Sequence, residues 1–337
     1  MWKACKIFNQ GSKVIGANLP NGVRGATINA IGSSLPELIT ALLFFIILSE
    51  NNESISAALG TVIGSAVFNI LIIPSIVIFI LIRKKFNLKI KKKIIFRDGI
   101  VLLFVQFYLF KTLTDNIITI NEALMMLFMY GFYIIFLLYQ NKSNVKNVKI
   151  SKSEIKQGWK KLLLGATIAA IGCWLCVHAC EAISQANWHL PFKSNTSFPG
   201  LNISIGLTAL LIAAAASSMP DLFLSIIDAQ EGHADDALSN PLGSNIFDLC
   251  IAFTIPLIIY TLINGQIDLS NTQNIIEIQY FILLMISITI IFLSSILFWK
   301  IQYFNLFHVI LFTVLFITFV IVICQPKILN KILVYFL

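Results

Sequence analysis

Charge is what this sequence has least of. Asp, Glu, Lys and Arg make up 12% of its 337 residues, against about 25% in a soluble globular domain. With 58% hydrophobic residues and a mean hydropathy of +0.86, an ordinary soluble enzyme or binding domain is excluded. Alternation is also missing: the apolar runs are too long and too uniform for barrel strands, whose inward and outward residues alternate. Cysteine is scarce, six in all, and no disulfide framework is implied. Cys173, Cys176 and Cys180 fall near one face of an expected helix with His178 close by. A structural zinc site needs four converging ligands, and Val177 stands where a C-x-x-C-H haem attachment would place His, so these read as small packing residues. The start, Met1-Trp-Lys-Ala-Cys-Lys, lacks an apolar h-region, and no signal peptide is expected.

What is present is a series of runs of about 20 apolar residues, the length that crosses a hydrocarbon core as a helix. Nine spans are expected: 25–48, 57–82, 99–113, 117–138, 162–183, 201–227, 238–263, 276–297 and 304–324. Residues 1–24 are short, basic and too polar to span. Residues 49–54 form a polar turn, and a polar loop carrying Trp188, Pro191 and Pro199 follows the fifth span. Trp159, Trp188 and Trp299 fall at span ends, where amphipathic rings favour the interface. Residues 140–161 have the polarity of a loop and divide the chain into halves, 1–139 and 162–337. Of 24 Lys and Arg, eight lie in 83–97, seven in 142–161 and four in 3–24. The positive-inside rule accounts for this excess without nucleic acid and puts all three basic segments in the cytoplasm. The expected class is therefore all-α: a polytopic bundle in the lipid bilayer, of a bacterial-type plasma (inner) membrane since no large inserted domain is present, with a monomer sufficient.

Two phrases occur twice. Gly25-Ala-Thr-Ile-Asn-Ala-Ile-Gly-Ser-Ser-Leu-Pro-Glu37 is echoed by Ala213-Ala-Ala-Ala-Ser-Ser-Met-Pro-Asp221. Gly64-Ser-Ala-Val-Phe-Asn69 is echoed by Gly243-Ser-Asn-Ile-Phe-Asp248. Counting spans from the cytoplasm, the two copies run in opposite directions, the inverted-repeat arrangement of many secondary transporters, whose sites lie near the midplane at the repeat interface. Pro36 and Pro220 lack an N–H and crowd the carbonyl four residues back, which frees the carbonyls of Gly32 and Ala216. Irregular backbone at membrane depth is tolerated where it faces protein or a water-filled cavity, and a cation suits a freed carbonyl. Ser33, Ser34, Ser217 and Ser218 add hydroxyl oxygens, and residues such as Gly25, Ala26, Ala30 and Ala214 allow close helix approach. Glu37, Asp221 and Asp248 are ionisable groups deep inside spans, costly positions that mark ion paths or proton relays. An all-oxygen, carboxylate-rich cage favours calcium, which takes 6–8 oxygen ligands in flexible geometry, over magnesium, which demands a strict octahedron; sodium is the competitor. Soft metals are disfavoured because neither Cys nor His occurs in the four phrases.

These phrases closely resemble the alpha repeats of the cation/calcium exchanger superfamily, which includes sodium/calcium and potassium-dependent sodium/calcium exchangers. The resemblance covers both repeats, the basic linker and the order of spans. It implies antiport of Ca2+ against Na+ by alternating access, with no enzyme activity and no cofactor beyond the transported ions. Glu37 and Asp221 would be the central calcium ligands, and Ser33, Ser34, Ser65, Asn69, Ser217, Ser218, Ser244 and Asp248 would line calcium and sodium sites. Ala30 and Ala214 fall where family members offer backbone carbonyls. Asp221 resembles the potassium-dependent branch rather than the Glu of the prokaryotic branch, Asp248 is the residue that raises K+ co-transport, and Ala216 replaces a usual Gly. Family members also carry a span before the first phrase, ten in all, where only a basic stub is expected here. An N-terminally truncated, inactive remnant is thus one alternative. Another is an intramembrane aspartyl protease using Asp221 and Asp248, although the Gly-x-Gly-Asp phrase of that class is missing. The segment with Asp228, Glu231, His233, Asp235 and Asp236 does not match the EF-hand loop and is expected to be a solvated cytoplasmic loop. Glu122 and Glu181 are expected at the interface.

Overall fold

The computed structural model describes residues 2–19, 23–47, 53–85, 92–140, 150–190, 193–269, 275–298 and 305–325. Seven helical segments among them are long and apolar enough to cross a membrane by length and composition: Gly25–Ile46, Ser54–Arg83, Ile120–Gln140, Ile205–Gln230, Ala234–Asn264, Ile276–Ile296 and Leu306–Cys324. They coincide with seven of the nine expected spans. The remaining two expectations also fall on helices, α5 (Lys92–Thr112) and α7 (Lys152–Ser184), whose basic ends dilute their hydropathy. Trp299 lies outside the described residues, as do the side chains of Cys173 and Trp188.

The spans that carry the repeated phrases are broken. The first runs through a π-helical turn (Gly25–Asn29), α2 (Ala30–Ser33) and α3 (Leu35–Ile47). Its echo runs through α8 (Ile205–Thr208), a π-helical turn (Ala209–Ala213), α9 (Ala214–Ser217) and α10 (Met219–Gln230). In both copies the break falls at the second serine, Ser34 (φ −89°, ψ 1°) and Ser218 (φ −74°, ψ −4°), two residues before the proline. The reason is local: proline disfavours helical backbone just before it and removes a donor. Insertions of the π type recur at functional sites.

The long helix α4 (Glu53–Arg83) is buried along nearly its whole length. At about 1.5 Å per residue it exceeds the ~30 Å hydrocarbon core. It packs against α3, α10, α11 (Ala234–Phe247), α13 (Ile275–Phe298), α14 (Leu306–Cys324) and the second π-turn. Helix α11 is followed by a third π-turn, Asp248–Ala252, and by α12 (Thr254–Asn264). Large apolar side chains are exposed on the outer helices, among them Phe128, Phe132 and Ile135 of α6 (Ile120–Gln140) and Leu163 and Leu175 of α7. Such a surface suits lipid and would be a liability in water.

Three expectations are corrected. The segment before the first phrase, expected only as a basic stub, carries helix α1 (Trp2–Ile15), which packs along α7. Phe8 joins Leu162 and Leu224 in one buried cluster, and Gly11 approaches so closely that a Cβ there would lie 2.6 Å from the carbonyl oxygen of Gly158. The 140–161 linker is not loop throughout, since a capping box (Ser151 with Glu154) starts α7 inside it and satisfies two N–H groups reciprocally; residues 141–149 lie outside the described residues. The expected all-α class holds, with two short antiparallel pairings beside the helices. Asn187–Leu190 (β2) pairs antiparallel with Lys193–Pro199 (β3) in the loop expected to be irregular, and Ile117–Ile118 (β1) pairs with Ile267–Asp268 (β4). The third correction concerns the acidic segment. Asp228 and Asp236 are buried, because Arg24 reaches both, at 2.8 and 3.1 Å. Glu122 and Glu181 are both half-buried near helix ends.

Candidate cation site

The repeated phrases meet because glycines let them. Gly243 on α11 lies against the first π-turn, where a Cβ would stand 2.6 Å from the Cα and carbonyl oxygen of Ala26. Gly64 on α4 lies against the second π-turn and the start of α9, where a Cβ would stand 1.9 Å from the Leu210 carbonyl oxygen and 2.7 Å from the Ala214 Cβ. Each half therefore inserts its Gly-Ser helix against the broken helix of the other. Close backbone approach through small residues is how membrane helices pack without a hydrophobic drive between them.

This crossing brings together most of the residues expected at the site. Glu37, Asp221 and Asp248 are all fully buried, as are Ser34, Ser65, Asn69, Ser218 and Ser244, with Ser33 and Ser217 nearly so. Ser65 of the first half lies 2.7 Å from Ser218 of the second and 3.5 Å from both Glu37 Oε1 and Asp248 Oδ2. Ser34 hydrogen-bonds Ser244 across the halves, and Ser33 donates to Asp221 Oδ1. Asp221 Oδ2 accepts from Ser244 at 2.8 Å and from Asn69 at 3.3 Å. Ser217 lies against Glu37 in the mirror of the Ser33–Asp221 contact. The carbonyls of Ala30 and Ala214 are present at the break but already engaged: each accepts the N–H of the break serine at 3.0 Å and the preceding serine hydroxyl at 3.2 Å.

Three acceptor oxygens of this shell have no hydrogen-bond partner among the described residues: Glu37 Oε2, Asp248 Oδ1 and Asn69 Oδ1. A buried acceptor left unmatched costs about 1–3 kcal/mol, more when charged. All three are oxygen atoms, and hard cations take oxygen ligands. The expected cage of carboxylates is nonetheless looser than anticipated. Among the described residues no group of three or more His, Cys, Asp and Glu side chains stands close enough to hold a metal ion. A cation held here would have to draw on hydroxyl and amide oxygens as much as on acids.

Several polar residues of this region were not anticipated. Asn245 donates to the carbonyl of Ala66 at 3.0 Å and accepts from Asn69 at 3.0 Å. It sits inside a repeated phrase, but Ala66 holds the equivalent place in the other copy, so repetition did not flag it. Asn240 donates to Asp221 from one helical turn before Gly243. Beside the first π-turn, Asn29 donates to Asp228 at 3.0 Å and accepts from Ser12 of α1. The backbone carbonyl of Asn29 lies 2.7 Å from the Ser33 hydroxyl and competes with Asp221 for its single proton. For Arg24 itself, burial works against the charge, but Asp228 and Asp236 outweigh it and raise its pKa above the ordinary value.

The sodium-calcium exchanger NCX_Mj, soaked with 2.5 mM Na+ and 10 mM Sr2+, superposes with a TM-score of 0.66 at 20% identity, covering 96% of this chain and 94% of that one. The same exchanger soaked with 10 mM Na+ and zero Ca2+ gives 0.64 at 20% identity, with the same coverage. These likenesses concern the fold. Inner membrane protein YrbG of Escherichia coli is 24% identical over 260 residues, 74% of this chain and 72% of YrbG. Human sodium/potassium/calcium exchanger 1 is 43% identical over 65 residues, 19% of this chain and only 6% of that protein. The family model described as sodium/calcium exchanger protein matches residues 1–139 and 157–325. The chain therefore belongs to the sodium/calcium exchanger protein family, integral multi-pass membrane transporters of cations and not enzymes.

Proposed function

We propose that this chain exchanges Ca2+ for Na+ across a bacterial-type plasma membrane by alternating access, with Glu37 and Asp221 as the central calcium ligands. The observation that carries this reading is the fully buried, oxygen-lined shell at which both repeated phrases converge, with its unmatched acceptors on Glu37, Asp248 and Asn69. Calcium, as cargo, would take oxygens from Glu37, Asp221 and the carbonyls of Ala30 and Ala214. Sodium ions entering among Ser33, Ser34, Ser65, Asn69, Ser217, Ser218, Ser244 and Asp248 would compete for the same lone pairs and displace it. The basic segments, including the 140–161 linker, would lie in the cytoplasm. Helix α1 packed along α7 supports a working transporter over an inactive remnant, since that pair of helices slides in the family to change the open side.

The test is sodium-gradient-driven uptake of radiolabelled calcium into vesicles. Wild-type protein is expected to take up calcium, while Glu37→Gln and Asp221→Asn reduce uptake to background. Uptake that persists in both variants removes the site assignment. Potassium co-transport is a second reading, favoured by Asp at positions 221 and 248. It requires uptake to fall when external potassium is withdrawn, and Asp248→Asn to remove that dependence.

A further inference from the structure

The two halves of the site are not equivalent, and the difference lies one helical turn before each Gly-Ser pair. On α11 that position is Asn240, and on α4 it is Thr61. Both are fully buried. Thr61 spends its hydroxyl on its own helix, donating to the Ala57 carbonyl at 3.0 Å. Asn240 instead reaches across to α10. Its Nδ2 lies 3.3 Å from Asp221 Oδ1, 3.2 Å from the Asp221 main-chain carbonyl and 3.1 Å from Ser225 Oγ. Carboxylates and carbonyls only accept, so the amide nitrogen, and not its oxygen, must face them.

The donors around Asp221 differ in what they can do when a cation arrives. Ser33 and Ser244 hydroxyls are both donors and acceptors, so each can rotate and turn a lone pair inward. Asn69 has an unmatched oxygen already at the site. Asn240, whose own Oδ1 is likewise unmatched among the described residues, turns its two N–H groups toward three acceptors on one neighbouring helix: the side chain and backbone of Asp221, and Ser225 one turn on. It is therefore the donor that stays in place. Asp221 is also one methylene shorter than Glu37 and has less freedom to find the ion for itself.

We infer that Asn240 is a positioning residue for calcium: it clamps the Asp221 carboxylate and main chain at a fixed distance from the site, a role that Thr61 does not play for Glu37. This rests on Asp221 being a calcium ligand, as proposed above. The amide touches the ligand residue and does not need to touch the ion. Its loss lets the Asp221 carboxylate swing among rotamers, so the ordering must then be done by calcium itself, and affinity falls. Pre-organisation of this kind acts on binding more than on the rate of the loaded carrier.

The experiment compares Asn240→Ala, Asn240→Thr and Thr61→Ala with wild type in reconstituted vesicles, reading initial calcium uptake against calcium concentration. Both Asn240 variants are expected to raise the half-saturating calcium concentration about tenfold, the scale of one hydrogen bond to a charged group. Maximal uptake per inserted protein is expected to change less than threefold, roughly, because the ion-loaded site is completed by the remaining ligands. Asn240→Thr installs the residue of the other half and keeps buried volume close to native, so it guards against a simple packing defect. Thr61→Ala is expected to leave the half-saturating concentration at the wild-type value. Asn240 variants that lower thermal stability or maximal uptake, yet keep wild-type half-saturation, would overturn the inference and leave Asn240 a structural residue. If Asp221→Asn still transports, the parent assignment has failed. If Asp221→Asn is dead and both Asn240 variants saturate normally, only the clamp has failed.

Discussion

At Gly243 a methyl group would land 2.6 Å from two backbone atoms of Ala26, and backbone cannot swing aside as a side chain can. Such contacts set the spacing of the facing helices at the candidate site. Gly243→Ala is expected to destabilise by about 1–3 kcal/mol, the usual cost of overpacking, and to depress calcium uptake beyond what the lost folded fraction explains. Gly131 on α6 is the control: a Cβ there meets nothing within 4 Å. Gly131→Ala is expected to be neutral or to stabilise by up to about 1 kcal/mol through helix propensity. Thermal unfolding of the two purified variants in detergent separates these outcomes; equal midpoints would mean that the crossing is not tight. At this scale the sequence was readable where residues repeat. Ser33 with Ser217 and Glu37 with Asp221 stood out by duplication, while Asn240, opposite Thr61, did not.

At the scale of elements, the ends of helices hold a polar device that the sequence disguised. Arg24, just before the first π-turn, pairs with Asp228 at the end of α10 and Asp236 at the start of α11. The Gly25 N–H adds a 3.3 Å bond to Asp236. Nearby, Lys13 of α1 donates to Glu231 at 2.6 Å. Read as a string, residues 228–236 are a hydrophilic loop; only packing shows that two of their acids are inside. Arg24→Met is expected to cost about 3–5 kcal/mol, because it strands two buried carboxylates rather than one solvated pair. Adding Asp228→Asn should recover part of that loss, since the amide keeps hydrogen bonds without the charge. Thermal unfolding of the single and double variants measures both steps. A single variant as stable as wild type would show that water reaches these acids.

For the whole molecule, the contacts of α1 with α7 and with the first broken helix make the proposed alternating access testable. Gly11 against Gly158 ties the two helices to each other, whereas Ser12 to Asn29 ties α1 to the first broken helix. If the α1–α7 pair slides as a unit past the site-bearing helices, the two contacts respond differently to cross-linking. A Gln10→Cys/Lys161→Cys pair joined by a flexible bis-maleimide, at positions on α1 and α7 whose side chains already meet at 3.0 Å, is expected to leave calcium uptake intact. An oxidised Ser12→Cys/Asn29→Cys pair is expected to stop it, with recovery on reduction and with each single variant active. Uptake that continues in the second cross-linked pair would rule out sliding along that face.

Hydropathy alone determined that this is a membrane protein, because a chain with so few charges and apolar runs of this length has no other solvent to fold in. The duplicated Ser-Ser-x-Pro-acid phrases determined where the helices break, since proline acts through its own ring and its missing N–H, and that effect is local. Tertiary structure decided the rest. The basic start became helix α1 because α7 offers it a face lined by Gly158 and Leu162. The acids of 228–236 became buried because Arg24, more than 200 residues away, arrives beside Asp228. Asn240 became a neighbour of Asp221 because α11 crosses α10. Burial and pairing are set by elements distant in sequence, and no local pattern of residues can carry them.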